Sequence, residues 1–277
     1  MAETIKDTDS SKAPMSTDQE NEPVITFFKA YPYALPAMSA DRTALGTIPA
    51  QAYQYCEAMT TASAFGWYAF PASDLQLWFD GVDIYIAHGD EWQRLSSEQL
   101  PDMDHWWNPH CPRHLHNMAP PFVTSLGIPG YVQVWSGLLV STRKNWSILV
   151  RPIANVQKSK QLFCFEGIVE TDQFGPAPLF INLKLQVTNT IIEIPAQDPL
   201  FQIQPIHRDC YARESLIASD HRSIAMDQPG AAGMNDIHWD GFQKTIRHAD
   251  PAKDDHSAGQ YATTTRKRAR KAVTSLL

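Results

Sequence analysis

Long apolar runs are missing from this chain. No stretch approaches the roughly twenty residues that a bilayer-spanning helix needs, which excludes a helical membrane protein. Cysteine is scarce: Cys56, Cys111, Cys164 and Cys210 lie scattered without close pairing. Free, buried thiols in a reducing cytoplasmic setting are therefore expected rather than disulfides. Charged residues make up only 19% of the 277, with a net charge of −7. That balance argues against a general nucleic-acid binder. The opening MAETIKDTDSSKAP has no apolar signal-peptide core, so secretion is not expected. Residues 1–22 hold almost no large apolar side chain, cannot offset the entropy of ordering, and read as a disordered arm. No internal repeat is present.

What the chain does have is β pattern. Val24 to Phe28 is a β-branched and aromatic run. Leu75–Phe79 and Val82–Ile86 flank Asp80-Gly81, a hairpin signal. Further runs are YVQVW from Tyr131, then GLLVS and WSILV. The cleanest alternation puts Leu179, Ile181, Leu183, Leu185 and Val187 on one face. Phe180, Asn182, Lys184 and Gln186 take the other. Ile191–Ile194 and Leu200–Ile206 follow as strands, Gln202 and Gln204 sharing a face.

Helices are few. Thr47 as cap, Pro49 in the first turn and Gly66 as stop predict one helix, packing Ala52, Cys56, Met59 and Ser63 on one side. Trp239, Phe242 and Ile246 predict a second that docks on the sheets. The expected organisation is an arm over 1–22, a β-rich domain over 23–208, and a helical extension over 209–277 ending in a basic tail.

Three places carry candidate chemistry. In the segment from Arg151 to Ile206, Glu170 and Asp172 are candidate catalytic carboxylates, as general base or as a hold on a sugar hydroxyl. Arg151, Asn155, Lys158, Asn182, Lys184 and Gln202 are candidate ligand contacts, the cations balancing an anionic small molecule. The competing reading is a polar turn network with no ligand. The second place is His105, His110, His114 and His116 beside Cys111, where a divalent metal and metal-dependent chemistry are the alternative. Their spacing matches no zinc signature, and Pro109 and Pro112 interrupt a helix, which favours an exposed loop. The third place is Arg266 to Lys271, five cations in six residues, either a solvated tail or a contact for nucleic acid or an acidic partner.

The first segment resembles known motifs. Arg151, then Gly167, Val169, Glu170, Asp172 and Gly175, then Asp198, Leu200 and Gln202 follow the order of the trimeric dUTPase and dCTP-deaminase superfamily. There an Arg-Ser motif precedes Gly-x-Ile-Asp-x-Asp-Tyr-x-Gly and then Gly-Asp-x-Ile-x-Gln. The resemblance implies a dUTPase-like β-barrel or sandwich with peripheral helices, sites shared between subunits of a homotrimer, and a nucleotide-like ligand. It places phosphate contacts at Arg151 and Gln202, and Glu170 where those enzymes hold the aspartate that orients water and deoxyribose. The added methylene matters, since a misplacement of about 1 Å costs about a hundredfold in rate. A closer resemblance is to a bacterial family of unknown function. Its R-G-P-A-N, E-G-I-V-E-T-D-W and G-E-P-I-C-Q-I-F-P motifs appear here as Arg151–Asn155, Glu166–Gln173 and Gln197–Pro205. Gln173 replaces the family's tryptophan, Lys158-Ser159-Lys160 its Lys-Asp-Gly, and no Gly-rich phosphate lid follows. A non-catalytic assembly protein is the remaining alternative.

Overall fold

The computed structural model describes residues 22–156, 160–216, 236–243 and 264–268. The expected arm, Lys158 and most of the C-terminal extension, with Ile246, lie outside them. The described chain is mainly β with a few helices. In order come β1 (Ile25–Lys29), β2 (Met38–Ser39), α1 (Ala50–Tyr55), α2 (Glu57–Ala64), β3 (Trp67–Ala69), β4 (Leu75–Phe79) and β5 (Ile84–His88). Next are β6 (Glu91–Arg94), β7 (Ser97–Glu98), α3 (Met103–Trp107), β8 (Val123–Ser125), β9 (Tyr131–Thr142) and β10 (Trp146–Arg151). The last are β11 (Leu162–Cys164), β12 (Gly167–Val169), β13 (Ala177–Leu185), β14 (Ile191–Ile194), β15 (Phe201–His207) and α4 (Asp236–Gln243).

The long strand β9 sets the frame. The two runs expected around Gly137 are one continuous strand, with β13 antiparallel along one edge. Its other edge is shared: β8 pairs with Val132–Val134 and β1 with Leu138–Thr142. Gly137 marks the handover at φ +74, where an added Cβ would stand 2.7 Å from the Ala34 Cβ. A second sheet runs β12-β10-β15-β3-β2 and a third β14-β4-β5-β6. None of the three closes on itself among the described residues.

One apolar cluster joins all three sheets, taking Leu77 and Ile86, Val134 and Leu183, and Ile148 and Phe201 together. The alternation in β13 behaves as expected, with Leu179, Ile181, Leu183 and Leu185 buried. Each contributes about 1.5–3 kcal/mol by burial, more than an exposed ion pair supplies. The Asp80-Gly81 hairpin also forms, although its turn is longer than two residues. The Asp80 carboxylate accepts the amides of Val82 and Asp83, both at 2.7 Å, and β5 begins only at Ile84.

The helices differ from expectation. The segment after Pro49 breaks at Cys56 (φ −112, ψ 86) into two short helices. Thr47 does not cap; its hydroxyl meets the Ala44 and Asn155 carbonyls. The face that α2 buries is polar, consisting of Glu57, Thr60 and Ser63, because it meets arginines and loop polar groups rather than the apolar core. Trp239 and Phe242 pack edge to face at 5.9 Å and stay exposed, so α4 does not bury its aromatic side as expected. All four cysteines are free. No described helix is long and apolar enough to cross a membrane.

Candidate functional site

The segment Leu162–Gly175 runs from the first sheet to the second. β11 pairs with the end of β13, and β12 pairs with β10. Between those sheets lies a cleft of about 250 Å³. Its apolar floor includes Val140, Ile148, Val150, Leu179 and Ile181, and its mouth carries Phe165, Glu166, Val169 and Thr171. Strand register makes Asn182 and Gln133 neighbours, and the Gln133 Nε2 donates to Asn182 Oδ1 at 3.0 Å on the cleft wall. The Phe165 amide donates to the Asn182 carbonyl at 2.9 Å. Its ring stacks on Tyr131 with centroids 5.4 Å apart and 22° between planes. Phe165 is thus a fixed wall rather than a swinging side chain. The Lys184 ammonium stands 5.5 Å from the centre of the Tyr131 ring.

Arg151 ends β10 with its Nη2 3.3 Å from Glu166 Oε1. Its Nε is buried with no hydrogen-bond partner among the described residues. Of the expected ligand contacts, Asn182 lines the cleft, and Arg151 touches its lining through Glu166.

Glu170 and Asp172 do not line it. Both turn to Arg208, which follows β15 directly: Nη1 meets Glu170 Oε1 at 2.7 Å, and Nη2 bonds both Asp172 oxygens. The Asn145 amide adds a third bond to Asp172 at 3.0 Å. Burial raises the cost of ionising Asp172, yet the Arg208 and Asn145 bonds outweigh it and hold the carboxyl below its ordinary range. The bonds to Asp172 and Glu170 in turn push the guanidinium of Arg208 upward. A carboxylate so stabilised is a weaker base. The acidic turn therefore clamps residues 170–175 to the β9–β10 turn and to the end of β15.

Gln202 and Asn155 are also committed to the fold. Gln202 is fully buried; its Nε2 donates to the Ser63 and Phe65 carbonyls at 3.1 and 2.8 Å, and its Oε1 accepts the Ala154 amide at 2.8 Å. Both amide hydrogens and one lone pair are thereby used. Asn155 sits at φ +60 and donates to Met59 O and Ser63 Oγ, tying the same loop to α2.

The histidine-rich loop does not gather its rings. His110 Nδ1 lies 2.8 Å from the Trp106 carbonyl, and His105 packs edge-on to Trp106. Trp107 Nε1 donates to the Leu115 carbonyl, and Asn108 and Asn117 clamp the loop through two bonds. Among the described residues no group of three His, Cys, Asp or Glu side chains can hold a metal ion. In this structure His105, His110, His114 and His116 do not converge into such a group. Prolines and tryptophan contacts spread the rings along a surface loop whose Trp106 and Trp107 pack on the core.

No protein-family model and no curated protein sequence matches the chain. Phage dUTPases stand among its structural neighbours. One is the dUTPase of Staphylococcus bacteriophage 80alpha, a mutant with dUpNHpp, at 9% identity over 66% of this chain and 89% of that one, TM-score 0.34. Another is the dUTPase of phage phi11 of S. aureus, at 10% identity over 67% and 90%, TM-score 0.35. Overlap at that level carries neither fold nor chemistry over to this chain.

Sequence reasoning missed Gln133, Phe165 and Arg208. Gln133 alternates with buried Val132 and Val134, so its outward position was readable, but its pairing with Asn182 was not. Arg208 was visible only as the residue after a strand.

Proposed function

We propose that this chain is a small-molecule-binding β protein whose ligand occupies the cleft between the β9–β13 and β10–β12 strand pairs. The ligand is a flat, amide-bearing heterocycle of nucleobase or nucleoside size, with any anionic group turned toward Arg151 and Lys184. The observation that carries this reading is the Gln133–Asn182 carboxamide pair beside the fixed Phe165 ring. Carboxamides read donor and acceptor patterns on heterocycle edges, and an aromatic face stacks the ring. A volume of about 250 Å³ lies just under the range of about 300–1,000 Å³ usual for ligand pockets. It suits a base or nucleoside and leaves phosphates outside the cleft. Two sheets facing across this cleft favour a sandwich-like arrangement over a closed barrel.

Binding rather than turnover is the activity this geometry favours, because Glu170 and Asp172 are neutralised by Arg208 away from the cleft. The test is calorimetry and thermal shift with uridine, cytidine, adenosine and their mono- and triphosphates. At least one should bind, and Asn182→Ala and Gln133→Ala should each weaken it about tenfold, the loss of a hydrogen-bonded contact. Arg151→Ala should weaken the phosphorylated forms more than the nucleosides. No binding by any of these compounds, or binding unmoved in Asn182→Ala, overturns the reading and leaves an assembly role. Triphosphate hydrolysis with Mg²⁺ that disappears in Glu170→Gln and Asp172→Asn would replace binding with catalysis.

A further inference from the structure

The outer face of the third sheet carries a second, separate arrangement. Its inner side chains, Leu77, Phe79, Ile84, Ile86, Ile192 and Ile194, belong to the core. Alternation sends the others outward, and the register orders them in two rows across β14, β4, β5 and β6. One row reads Ile191, Trp78, Tyr85, Arg94; the other reads Glu193, Gln76, Ala87, Trp92. Four strands at the usual spacing make each row about 14 Å long. Trp78 and Tyr85 touch with centroids at 5.0 Å, and Trp78 meets Trp92 at 6.4 Å and 64°. Trp78 therefore touches both other rings, Tyr85 at a 37° tilt and Trp92 edge-on, with no slot between opposed faces. Ala87 is the small residue among them, so the surface dips there. Gln76 and Glu193 stand on the polar side of the dip, 3.4 Å apart.

The groups around the rings are fixed. The Tyr85 hydroxyl donates to Asp80 Oδ2 at 3.3 Å. Arg94 is held by Asp83 at 2.6 Å. That pair also lines a cleft of about 460 Å³ together with Ser96, Ser125 and Ile128. Asp80, Asp83 and Glu193 thus face the area with Arg94 as the cation among them, already paired. A polyanion is repelled by this set. A gap between opposed rings, which a methylated ammonium needs, is not there. The remaining match is a ring with one apolar C–H face and a rim of hydroxyls. Its face lies on Trp92 with its edge against Trp78, and its hydroxyls donate to Glu193 and Gln76.

We propose that the Trp78–Tyr85–Trp92 platform, with the dip at Ala87 and the adjoining Asp83–Arg94 cleft, binds a neutral carbohydrate through pyranose stacking. The test uses the full chain and neutral hexasaccharides of glucose, mannose and N-acetylglucosamine, followed by tryptophan emission and calorimetry. At least one should bind saturably with a Kd of about 1 mM or tighter. Trp92→Ala, at a side chain already 37% exposed, should weaken it about tenfold or more with the near-UV dichroism of the core intact. Ala87→Leu, which keeps every ring but fills the dip, should do the same. Failure of all the sugars to bind, or binding unmoved by both substitutions, overturns the proposal. So does Trp92-dependent binding of oligo(dT) or tetramethylammonium in place of the sugars, which would reassign the platform. Asn182→Ala leaves this platform untouched, so the two sites fail independently.

Discussion

Glu57 is 1% exposed, and a carboxylate buried to that degree stands only with partners. Arg42 Nη2 reaches one oxygen at 2.8 Å and Arg266 Nε the other at 2.9 Å. Burial opposes its ionisation, and the two arginines outweigh that and lower its pKa. Arg266 comes from the basic run near the C-terminus and also donates to the Tyr53 carbonyl. At least one cation of that run is therefore bound within the chain itself. Glu57→Ala should cost about 2–3 kcal/mol in urea unfolding, the cost of stranding charged donors. In a double-mutant cycle with Arg266→Ala the coupling should be about 1 kcal/mol, and additivity would show that the contact contributes nothing in solution. Asp172 offers a pH readout. Its folded pKa lies below the unfolded one, so its stabilisation is present above about pH 3.9 and is lost as pH falls through the folded value. Asp172→Asn should be less stable at pH 7 and lose less stability than the parent between pH 5 and 2. An unchanged acid limb would mean that the Arg208 clamp does not form.

Elements are decided at their joints. Gly66 ends α2 at φ +101, and an added Cβ would stand 2.0 Å from the Ile203 carbonyl oxygen on β15. Gly66→Ala should therefore cost about 3 kcal/mol or more, since both conformation and space forbid it. Gly89 also has positive φ, at +62, but meets nothing within 4 Å. Gly89→Ala should cost only about 1 kcal/mol. Equal losses, measured by thermal unfolding, would remove the close packing of the α2–β3 turn on β15 as the cause. Gly66 was legible as a stop signal. That it also admits β15 was not, because nothing local announces a strand more than a hundred residues away.

For the whole molecule, the notable surface surrounds the cleft. Phe163, Ile168 and Phe174 are exposed along residues 163–174, Phe174 by 71%. Exposed large apolar side chains of this kind are used at interfaces. A solution mass above the 31.1 kDa of one chain is expected, with a homotrimer the state that the motif resemblance implies. Light scattering should give about three times that mass, and Phe174→Asp with Ile168→Asp should lower it. A parent that runs as a monomer would leave the cleft complete within one chain.

The β class, the wall Leu179–Leu185 and the Asp80-Gly81 hairpin were all legible in the sequence. Side-chain alternation, turn preference and motif order are local properties, and residues a few positions apart determine them. The polar partnerships were not legible. Asp172 meets Arg208 across 36 positions, Gln202 meets Ser63 across 139, and Glu57 meets Arg266 across 209. A carboxylate or carboxamide looks the same in sequence whether it faces a ligand or fills a buried network. Only the packing of the sheets determined which polar groups were satisfied internally, and that left Gln133 and Asn182 on the cleft wall.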